Sequence, residues 1–277
     1  MPFKTKRIDI VRSIKELSNL QGRRALITGA TGGLGKVITD TLAELGADLV
    51  LVDRPGSDFD RLSESLIKRW GVKIEIQICD LEQEVQRTEL LTRLNDSRSG
   101  LNILINNAAF VGTSDIQGWS DPFEQQTVET WRRALEVNLT AIFHLSQGLT
   151  PLLKVAEGAN IINMASIYGM YGPDWNLYEG TSMSNPAAYG AAKGGLIQFT
   201  RWLATTIAPK IRVNAVSPGG IYRNQPQNFV DRYKAKTPLR RMGTEEDFRG
   251  VIAYLASDMS KYVTGQNLLV DGGWGVW

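Results

Sequence analysis

Short runs of strand-forming residues alternate with longer helical patterns along almost the whole chain. Seven such runs predict strands, at residues 24–28, 48–53, 72–79, 101–105, 160–164, 211–216 and 267–270. Strands that alternate with helices in this way are typical of consecutive βαβ units, which place the strands parallel in one sheet. We therefore predict an α/β fold, a doubly wound sheet of seven parallel strands with helices on both faces.

The length of 277 residues suits one large α/β domain or two small ones, and a hydrophobic content of 43% is enough for a full core. No internal repeat or Pro/Ser-rich linker divides the chain, so we predict a single domain over residues 21–277. Residues 1–20 form an extension in which Ile10, Val11, Ile14 and Leu17 recur at roughly helical spacing. We expect this extension to be a helix packed on the domain or on a neighbouring subunit.

The apolar runs and the rare residue types limit the class of protein. No apolar run approaches the ~20 residues of a membrane helix, and the first residues lack the apolar segment of a signal peptide. We expect a cytoplasmic protein. Cys79 is the only cysteine, which rules out an intrachain disulfide, and its apolar neighbours indicate a buried thiol. His144 is the only histidine, which removes most metal sites and any Ser-His-Asp triad, and we predict no bound metal.

A glycine-rich segment follows the first predicted strand and precedes a helical pattern that stops at Gly46. Glycines at such a turn permit a tight bend and a close approach of the backbone to a pyrophosphate, while the helix N-terminus offers free N–H groups. Glycine clusters are common in loops, but the order strand, glycine turn and helix is typical of dinucleotide binding. The candidate residues are Gly29, Thr31, Gly32, Gly33, Leu34 and Gly35.

Asp53 stands at the end of the second predicted strand, 24 positions after Gly29. A carboxylate there can accept hydrogen bonds from both hydroxyls of the adenosine ribose and repel a 2′-phosphate. This position favours NAD over NADP as the cofactor. The alternative is a solvated carboxylate at a strand end, and the adjacent Arg54 could soften the discrimination.

Tyr189 and Lys193 are four residues apart in a predicted helix, which places a phenol and an ammonium on one face about one turn apart. Asn185 is a good N-cap for this helix, and Pro186 suits its first position. Because a phenol has a reference pKa of about 10, its use as a base at neutral pH needs a nearby positive charge. Lys193 can supply that charge, although such pairs are also common on surface helices.

Together these motifs resemble the short-chain dehydrogenase/reductase family in its common branch, and the resemblance spans about residues 22–273. Beyond the glycine loop, Asp80-Leu81 is similar to the family's acidic pair beside the adenine. The segment 106–109 is similar to its Asn-Asn-Ala-Gly motif, with Ala109 in place of glycine. Asn138, Ser166, Tyr189 and Lys193 stand in the order of the family's catalytic tetrad, and Pro218-Gly219 follows the sixth predicted strand.

The resemblance implies a Rossmann-type catalytic domain and a role for each residue of the tetrad. Tyr189 exchanges the proton of the reacting hydroxyl, and Ser166 hydrogen-bonds the reacting oxygen. Lys193 lowers the tyrosine pKa and binds the nicotinamide ribose, and Asn138 holds a water that relays protons. The alternatives are purely structural roles: Ser166 as a turn residue, and Asn138 as a buried amide that joins a helix to a strand.

The resemblance also implies a set of cofactor contacts and a homo-oligomer. The predicted cofactor-binding residues are Gly29, Thr31, Gly32, Gly33, Leu34, Gly35, Asp53, Arg54, Asp80, Leu81, Asn107, Ala108, Ala109, Tyr189, Lys193, Pro218, Gly219 and Ile221. We expect a homotetramer or a homodimer, with the apolar C-terminal end, which carries Trp274, Val276 and Trp277, at a subunit boundary.

Ser166 and Tyr189 are 23 positions apart, which is longer than the family's usual spacing, so an extra segment lies beside the reacting atoms. It carries Trp175 and Tyr178 among amide and carboxylate side chains, a combination that suits the stacking and hydrogen bonding of a polyhydroxylated ring. The alternative is a lid or subunit contact with no direct role in substrate binding. A second loop, residues 110–123, carries Trp119 and is predicted to form another wall.

Residues 220–243 occupy the place of the family's mobile substrate lid. This segment has a local excess of five positive charges, contributed by Arg223, Arg232, Lys234, Lys236, Arg240 and Arg241 against Asp231. The excess favours an anionic substrate, with Arg223 as a candidate contact, and a solvated helix face is the alternative. The family's usual threonine after Pro-Gly is missing here, which puts the contacts at this point in doubt.

The sequence thus predicts an NAD(H)-dependent oxidoreductase that interconverts a secondary alcohol and a ketone, on a sugar or an anionic sugar-derived substrate. One alternative is an enzyme like the 3-oxoacyl carrier-protein reductases, and another is a non-enzymatic NAD-binding regulator. We expect a small molecule as the partner, and neither nucleic acid nor a membrane.

Overall fold

The computed structural model describes residues 11–97, 99–110 and 116–277. They contain seven parallel strands in the order β3-β2-β1-β4-β5-β6-β7. The strands are β1 Arg24–Thr28, β2 Asp48–Asp53, β3 Ile74–Ile78, β4 Ile103–Asn106, β5 Asn160–Met164, β6 Arg212–Pro218 and β7 Asn267–Val270. The predicted doubly wound sheet is confirmed. The strand order reverses between β1 and β4, which opens a crevice at the carboxyl edge of the sheet.

Helices cover both faces of this sheet. In the described part of the chain the helices are α1 Ile14–Ser18, α2 Gly33–Glu44, α3 Phe59–Trp70, α4 Glu84–Asp96, α5 Val128–Leu135, α6 Ala141–Lys154, α7 Ala187–Thr206, α8 Gln227–Lys236 and α9 Arg249–Ala256. A π-helical turn, Glu136–Thr140, joins α5 to α6. On one face α2 and α9 bury Leu42 and Ile252, and on the other α4 and α6 bury Leu90 and Leu149.

The N-terminal extension is helical only over α1 within the described residues. Ser13 and Glu16 form a capping box at its start, and Arg12 makes a 2.8 Å ion pair with Asp258. No residue of α1 is buried, and Ile14 is 71% exposed. Ile10 lies outside the described residues. The boundary between an extension at 1–20 and a domain at 21–277 stays a prediction.

Helix α7 starts one residue later than the sequence predicts. Pro186 occupies the N-cap position with an extended backbone (ψ 140°), so Ala187 is the first helical residue and Asn185 does not cap the helix. The prediction of Asn185 as the cap is therefore wrong. No helix in the described ranges is both long and apolar enough to cross a membrane.

Candidate active site

The predicted site residues meet at the carboxyl edge of the sheet. The glycine turn follows β1, Asp53 ends β2, and Asn107 follows β4. Ser166 follows β5 by two residues, and Pro218 is the last residue of β6. Because parallel strands present their carboxyl ends at one edge, residues distant in the sequence converge on the crevice.

The glycine turn is packed so closely that side chains are excluded from it. Gly29 has a φ of +64°, and a Cβ built on it would lie 2.8 Å from the Cα of Ala108. A Cβ built on Gly35 would lie 2.0 Å from the carbonyl oxygen of Gly29. Leu34, in the first turn of α2, packs against the core. Because the turn consists largely of glycine, its own side chains do not cover the first backbone N–H groups of α2, and a pyrophosphate can approach them closely.

Side chains from β1 and from the end of β4 brace this turn. The Asn107 side-chain amide donates to the carbonyl oxygens of Thr28 and Gly29, at 2.9 and 3.0 Å. The Thr28 hydroxyl accepts from the backbone N–H groups of Asn107 and Ala108, at 3.0 and 3.1 Å. Ala109 comes next and is partly buried. Asn107 and Thr28 thus shape the turn, and the bracing role of the Thr28 hydroxyl could not be predicted because it acts across the sheet.

Asp53 lies beside the glycine turn. Its Oδ2 accepts from the backbone N–H and the hydroxyl of Thr31, at 2.9 and 2.7 Å, and its Oδ1 accepts from the N–H of Arg54. The Arg54 side chain is exposed. The carboxylate is therefore held at the end of β2 next to the turn that starts α2, so the predicted adenosine contact is geometrically consistent.

Asp80 and Leu81 form a turn after β3. The Asp80 carboxylate accepts from the N–H of Glu82 at 3.0 Å, and the carbonyl oxygen of Leu81 accepts from buried Arg87 at 2.5 Å. Arg87 also makes a 2.5 Å ion pair with Glu136. The turn is thereby fixed to the first residue of the π-helical turn, and its predicted contact with the adenine stays a prediction.

Tyr189, Ser166 and Lys193 form one cluster. The Ser166 side chain lies close enough to the Tyr189 phenol to lower its pKa, and the Lys193 Nζ lies 5.7 Å from the centre of the Tyr189 ring. Lys193 is only 2% exposed, and its Nζ donates to the carbonyl oxygen of Met164 at 2.7 Å. Helix α7 thus carries the phenol and the ammonium on one face, and the end of β5 supplies the hydroxyl and a carbonyl.

Burial dominates the protonation of this cluster. It raises the pKa of Tyr189, while the nearby Ser166 side chain and the charge of Arg223 act in the opposite direction. Burial also lowers the pKa of Lys193 to about 8. Arg223 is one positive charge that acts on the phenol, and the predicted influence of Lys193 on the tyrosine stays a prediction.

Asn138 is fully buried in the π-helical turn between α5 and α6. Its Oδ1 accepts from the N–H of Phe110 at 2.7 Å, and its Nδ2 donates to the Phe110 carbonyl at 3.1 Å. These contacts match the alternative of an amide that joins a helix to the segment after a strand. Turns of π-helix are frequent at functional sites, and the predicted water relay stays a prediction.

Trp175 and Tyr178, the two predicted substrate contacts in the extra segment, differ in exposure. Tyr178 is 9% exposed, and its hydroxyl lies 2.6 Å from that of Tyr168. Trp175 is 57% exposed and lines a cavity of about 560 Å³ together with Phe123, Asp121, Glu124 and Asn185. The Nδ2 of Asn185 is buried without a hydrogen-bond partner.

Trp119 is buried beside Phe110, and residues 111–115 of its loop lie outside the described residues.

The lid segment 220–243 is docked on the extra segment. Arg232 donates to the carbonyl oxygens of Asn176 and Glu179, and Lys236 makes a 2.7 Å ion pair with Asp174. Elsewhere in the lid, Arg241 pairs with Asp247 at 2.6 Å, and Arg240 donates to a backbone carbonyl. These cations have partners within the chain, so the positive excess of the lid does not by itself indicate an anionic substrate.

Arg223 lies against the glycine turn. A Cβ built on Gly33 would lie 2.8 Å from its Nη2. Two residues before Arg223, Ile221 packs on the core and pairs with Gly243. Gly219 donates its N–H to the Val270 carbonyl at 3.0 Å. The structure therefore brings Arg223 together with Gly33, one of the predicted cofactor residues.

The residues at the crevice fit a nicotinamide dinucleotide. Gly32 and Gly33 leave the start of α2 without side chains, Asp53 stands at the adenosine end, and the Tyr189 cluster stands at the other. Within the described ranges no group of three His, Cys, Asp or Glu side chains could hold a metal ion.

Comparison with known proteins agrees with this geometry. A family model described as enoyl-(acyl carrier protein) reductase matches residues 29–275. A tropinone reductase homolog of Arabidopsis thaliana is 33% identical over 269 residues, covering 93% of this chain and 94% of the relative. The 3-oxoacyl-[acyl-carrier-protein] reductase of Aquifex aeolicus is 31% identical over 260 residues, covering 92% and 98%.

Solved structures show the same similarity. A short-chain dehydrogenase from Leptospira borgpetersenii with bound NAD⁺ is 34% identical, with a TM-score of 0.79 and 96% of each chain covered. A gluconate 5-dehydrogenase from Burkholderia cenocepacia in complex with NADP and tartrate is 26% identical, with a TM-score of 0.81 and coverage of 96% of this chain and 100% of the other.

Proposed function

The chain belongs to the short-chain dehydrogenase/reductase family of oxidoreductases, and from this premise we propose that it interconverts a secondary alcohol and a ketone with NAD(H). The observation that carries the proposal is the cluster of Ser166, Tyr189 and Lys193 at the sheet edge that also holds the glycine turn. This arrangement supplies a proton donor beside a site for a dinucleotide. A protein that only senses NAD has no need of such a cluster, which argues against a non-enzymatic regulator.

The chain's own residues would handle the proton and the orientation of the substrate. Tyr189 removes the hydroxyl proton in the oxidative direction and returns it in reduction. Ser166, which lies beside the phenol, holds the reacting oxygen at transfer distance. Lys193 contributes positive charge near the phenol, since its Nζ lies 5.7 Å from the ring centre. A bound nicotinamide accepts or supplies the hydride.

Asp53 supports NAD rather than NADP. Its carboxylate is fixed by Thr31 at the end of β2, so a 2′-phosphate in its vicinity would meet a negative charge that cannot swing away. Arg54 is exposed and adjacent, which leaves a weaker positive contribution nearby. Since similar structures carry NAD⁺ in one case and NADP in another, the preference of this chain rests on its own residues.

A sugar or sugar-derived substrate is supported by the cavity beside the extra segment. Trp175 and Phe123, 57% and 74% exposed, offer aromatic faces. Asp121 and Glu124 line the same cavity and offer acceptors. Polyhydroxylated rings use both kinds of contact. The gluconate 5-dehydrogenase neighbour is named for a polyhydroxylated substrate, which favours the same class.

The second candidate is reduction of an acyl group on a carrier protein. The description of the matching family model and the Aquifex aeolicus relative favour it. The acidic side chains Asp121 and Glu124 at the cavity beside Trp175 disfavour it, because carrier proteins deliver their acyl groups on a phosphate-bearing arm.

We also propose that the chain forms a homotetramer or a homodimer. Phe143 on α6 and Trp202 on α7 are 44% and 56% exposed, and the Phe199 ring lies between them at 6.0 and 6.3 Å. Val276 and Trp277 are also exposed, whereas Trp274 is buried within the chain beside Tyr233. Exposed aromatic surface of this kind suits contact with a second copy. The cytoplasmic location stays a prediction.

A screen for cofactor turnover tests the proposed reaction. Sugars, polyols, sugar acids, sugar phosphates and acyl thioesters would each be offered with NAD⁺ or NADH, and absorbance at the nicotinamide band would be followed. We expect turnover with a member of the carbohydrate group and none with the Tyr189→Phe variant under the same conditions. Turnover with acyl thioesters alone would overturn the sugar proposal in favour of the second candidate.

A further inference from the structure

An arginine and a glutamate from the far side of the crevice meet at the first residue of α2. The Arg223 Nη2 and the Glu245 Oε1 would lie 2.8 and 3.0 Å from a Cβ built on Gly33. The two side chains form an ion pair, with 3.1 Å between the Arg223 Nε and the Glu245 Oε1. A guanidinium and its carboxylate partner thus stand directly over the free N–H groups of the helix.

The backbone anchors both partners to one short pairing. Ile221 pairs with Gly243: the N–H of Tyr222 donates to the Gly243 carbonyl, and the N–H of Gly243 donates to the Gly220 carbonyl, each at 2.9 Å. Arg223 follows this pairing on one side, and Glu245 follows it on the other. The fold therefore sets the backbone positions of both partners, and the Arg223 side chain, which is 53% exposed, reaches the start of α2 from there.

We propose that Arg223 is a clamp for the cofactor pyrophosphate, and that Glu245 holds the guanidinium in place until the pyrophosphate replaces it. The inference rests on the proposed function. A guanidinium binds phosphate oxygens in a bidentate geometry, and the helix N-terminus adds attraction for the same anion. The Glu245 carboxylate, at the same point, opposes an incoming phosphate and competes for Arg223.

Two further observations agree with this placement. The Arg223 guanidinium that stands over Gly33 is also near enough to the catalytic cluster for its charge to act against the raised pKa of Tyr189. Arg241, in the same lid, is instead bound by both oxygens of Asp247, each at 2.6 Å. Arg241 therefore provides a matched control, since it is an exposed arginine of the same lid whose acidic partner is Asp247 and not Glu245.

NADH fluorescence titrations of four proteins test the clamp: wild type, Arg223→Gln, Glu245→Gln and Arg241→Gln. We expect the Kd for NADH to rise about tenfold in Arg223→Gln, to fall several-fold in Glu245→Gln and to stay within about twofold of wild type in Arg241→Gln. Displacement of NADH by ADP and by adenosine separates the phosphate contact from the rest. Arg223→Gln should weaken ADP and leave adenosine unchanged.

The outcomes distinguish this inference from the function on which it rests. If wild type binds NADH and Arg223→Gln binds it equally well, the clamp is overturned and the proposed function stands. Equal weakening of ADP and adenosine would also overturn the clamp, because it would show a general disturbance of the site. Failure of wild type to bind NADH would overturn both proposals.

Discussion

The Nζ of Lys193 lies 5.7 Å from the centre of the Tyr189 ring and donates its hydrogen bond to the carbonyl of Met164, not to the phenol. The ammonium is thus held near the tyrosine by the last residue of β5. Because the same strand end leads into Ser166, one segment fixes both the charge and the hydroxyl around the phenol.

Tyr189→Phe tests the acid-base role directly. Removing the phenol hydroxyl leaves the ring and its packing in place, so we expect turnover to fall by roughly 10²–10⁴-fold while NADH binding changes little. Tyr262, which is fully exposed, gives the control variant Tyr262→Phe, for which turnover should be unchanged. Steady-state kinetics and NADH titration measure the two effects. A Tyr189→Phe protein with most of its turnover would refute the assignment.

Lys193 should make stability depend on pH. Its pKa of about 8 in the folded chain lies below the ordinary value of 10.5. Between pH 8 and pH 10.5 the unfolded chain binds more protons at Lys193 than the folded chain. The contribution of Lys193 to the free energy of unfolding therefore increases as the pH rises through this window. Relative to Lys193→Met, the wild-type free energy of unfolding should therefore increase by up to about 1.4 kcal/mol per pH unit. Urea unfolding at several pH values measures it, and a constant difference would contradict the prediction.

Asp53→Asn should relax the cofactor preference. The amide can still accept from Thr31 but carries no charge, so the repulsion of a 2′-phosphate is removed while the turn is kept. We expect the ratio of the Kd for NADPH to that for NADH to fall about tenfold, as loss of one charge contact of about 1.4 kcal/mol would give. Asp60, which is exposed in α3, provides the control Asp60→Asn. Calorimetry with both cofactors measures the ratio, and an unchanged ratio would reject the role of Asp53.

Gly35→Ala should disrupt the glycine turn. The new methyl would meet the Gly29 carbonyl oxygen at 2.0 Å, so the turn has to move, and we expect NADH affinity to fall at least about tenfold with a stability loss of about 1–3 kcal/mol. Gly250, in α9, has no atom within 4 Å of a built Cβ. Gly250→Ala should therefore keep NADH binding and gain up to about 1 kcal/mol. Similar behaviour of both variants in titration and unfolding would contradict the packing argument.

The sheet and the main-chain features of the site could be predicted from the sequence because they depend on local patterns. The predicted strands 24–28, 48–53, 160–164 and 267–270 have the observed bounds. The strand predicted at 72–79 is shorter because its ladder with β2 begins at the pairing of Leu49 with Ile74. Helix α7 starts one residue after its predicted start, because the extended backbone of Pro186 cannot belong to the helix.

Side-chain partners between distant segments could not be predicted. The sequence indicated Arg223 as a substrate contact, yet the pairing of Ile221 with Gly243 carries it to the glycine turn and to Glu245. Likewise, the basic residues of the lid suggested an anionic substrate. In the structure, however, Lys236 pairs with Asp174 and Arg241 pairs with Asp247. Such partners depend on tertiary placement, about which local composition carries no information.

The exposed aromatic surface of α6 and α7 makes the oligomer testable. Trp202 stacks on Phe199 at 6.3 Å and is 56% exposed, so a carboxylate in its place would be desolvated in any interface formed by this surface. We expect Trp202→Glu to lower the sedimentation mass from that of an oligomer toward one chain, because burying an unpaired charge costs several kcal/mol. Tyr262→Glu, at a fully exposed aromatic outside α6 and α7, should keep the wild-type mass. An oligomer that survives Trp202→Glu with unchanged mass would show that the subunits meet through another surface, and a monomeric wild type would refute the proposed assembly itself.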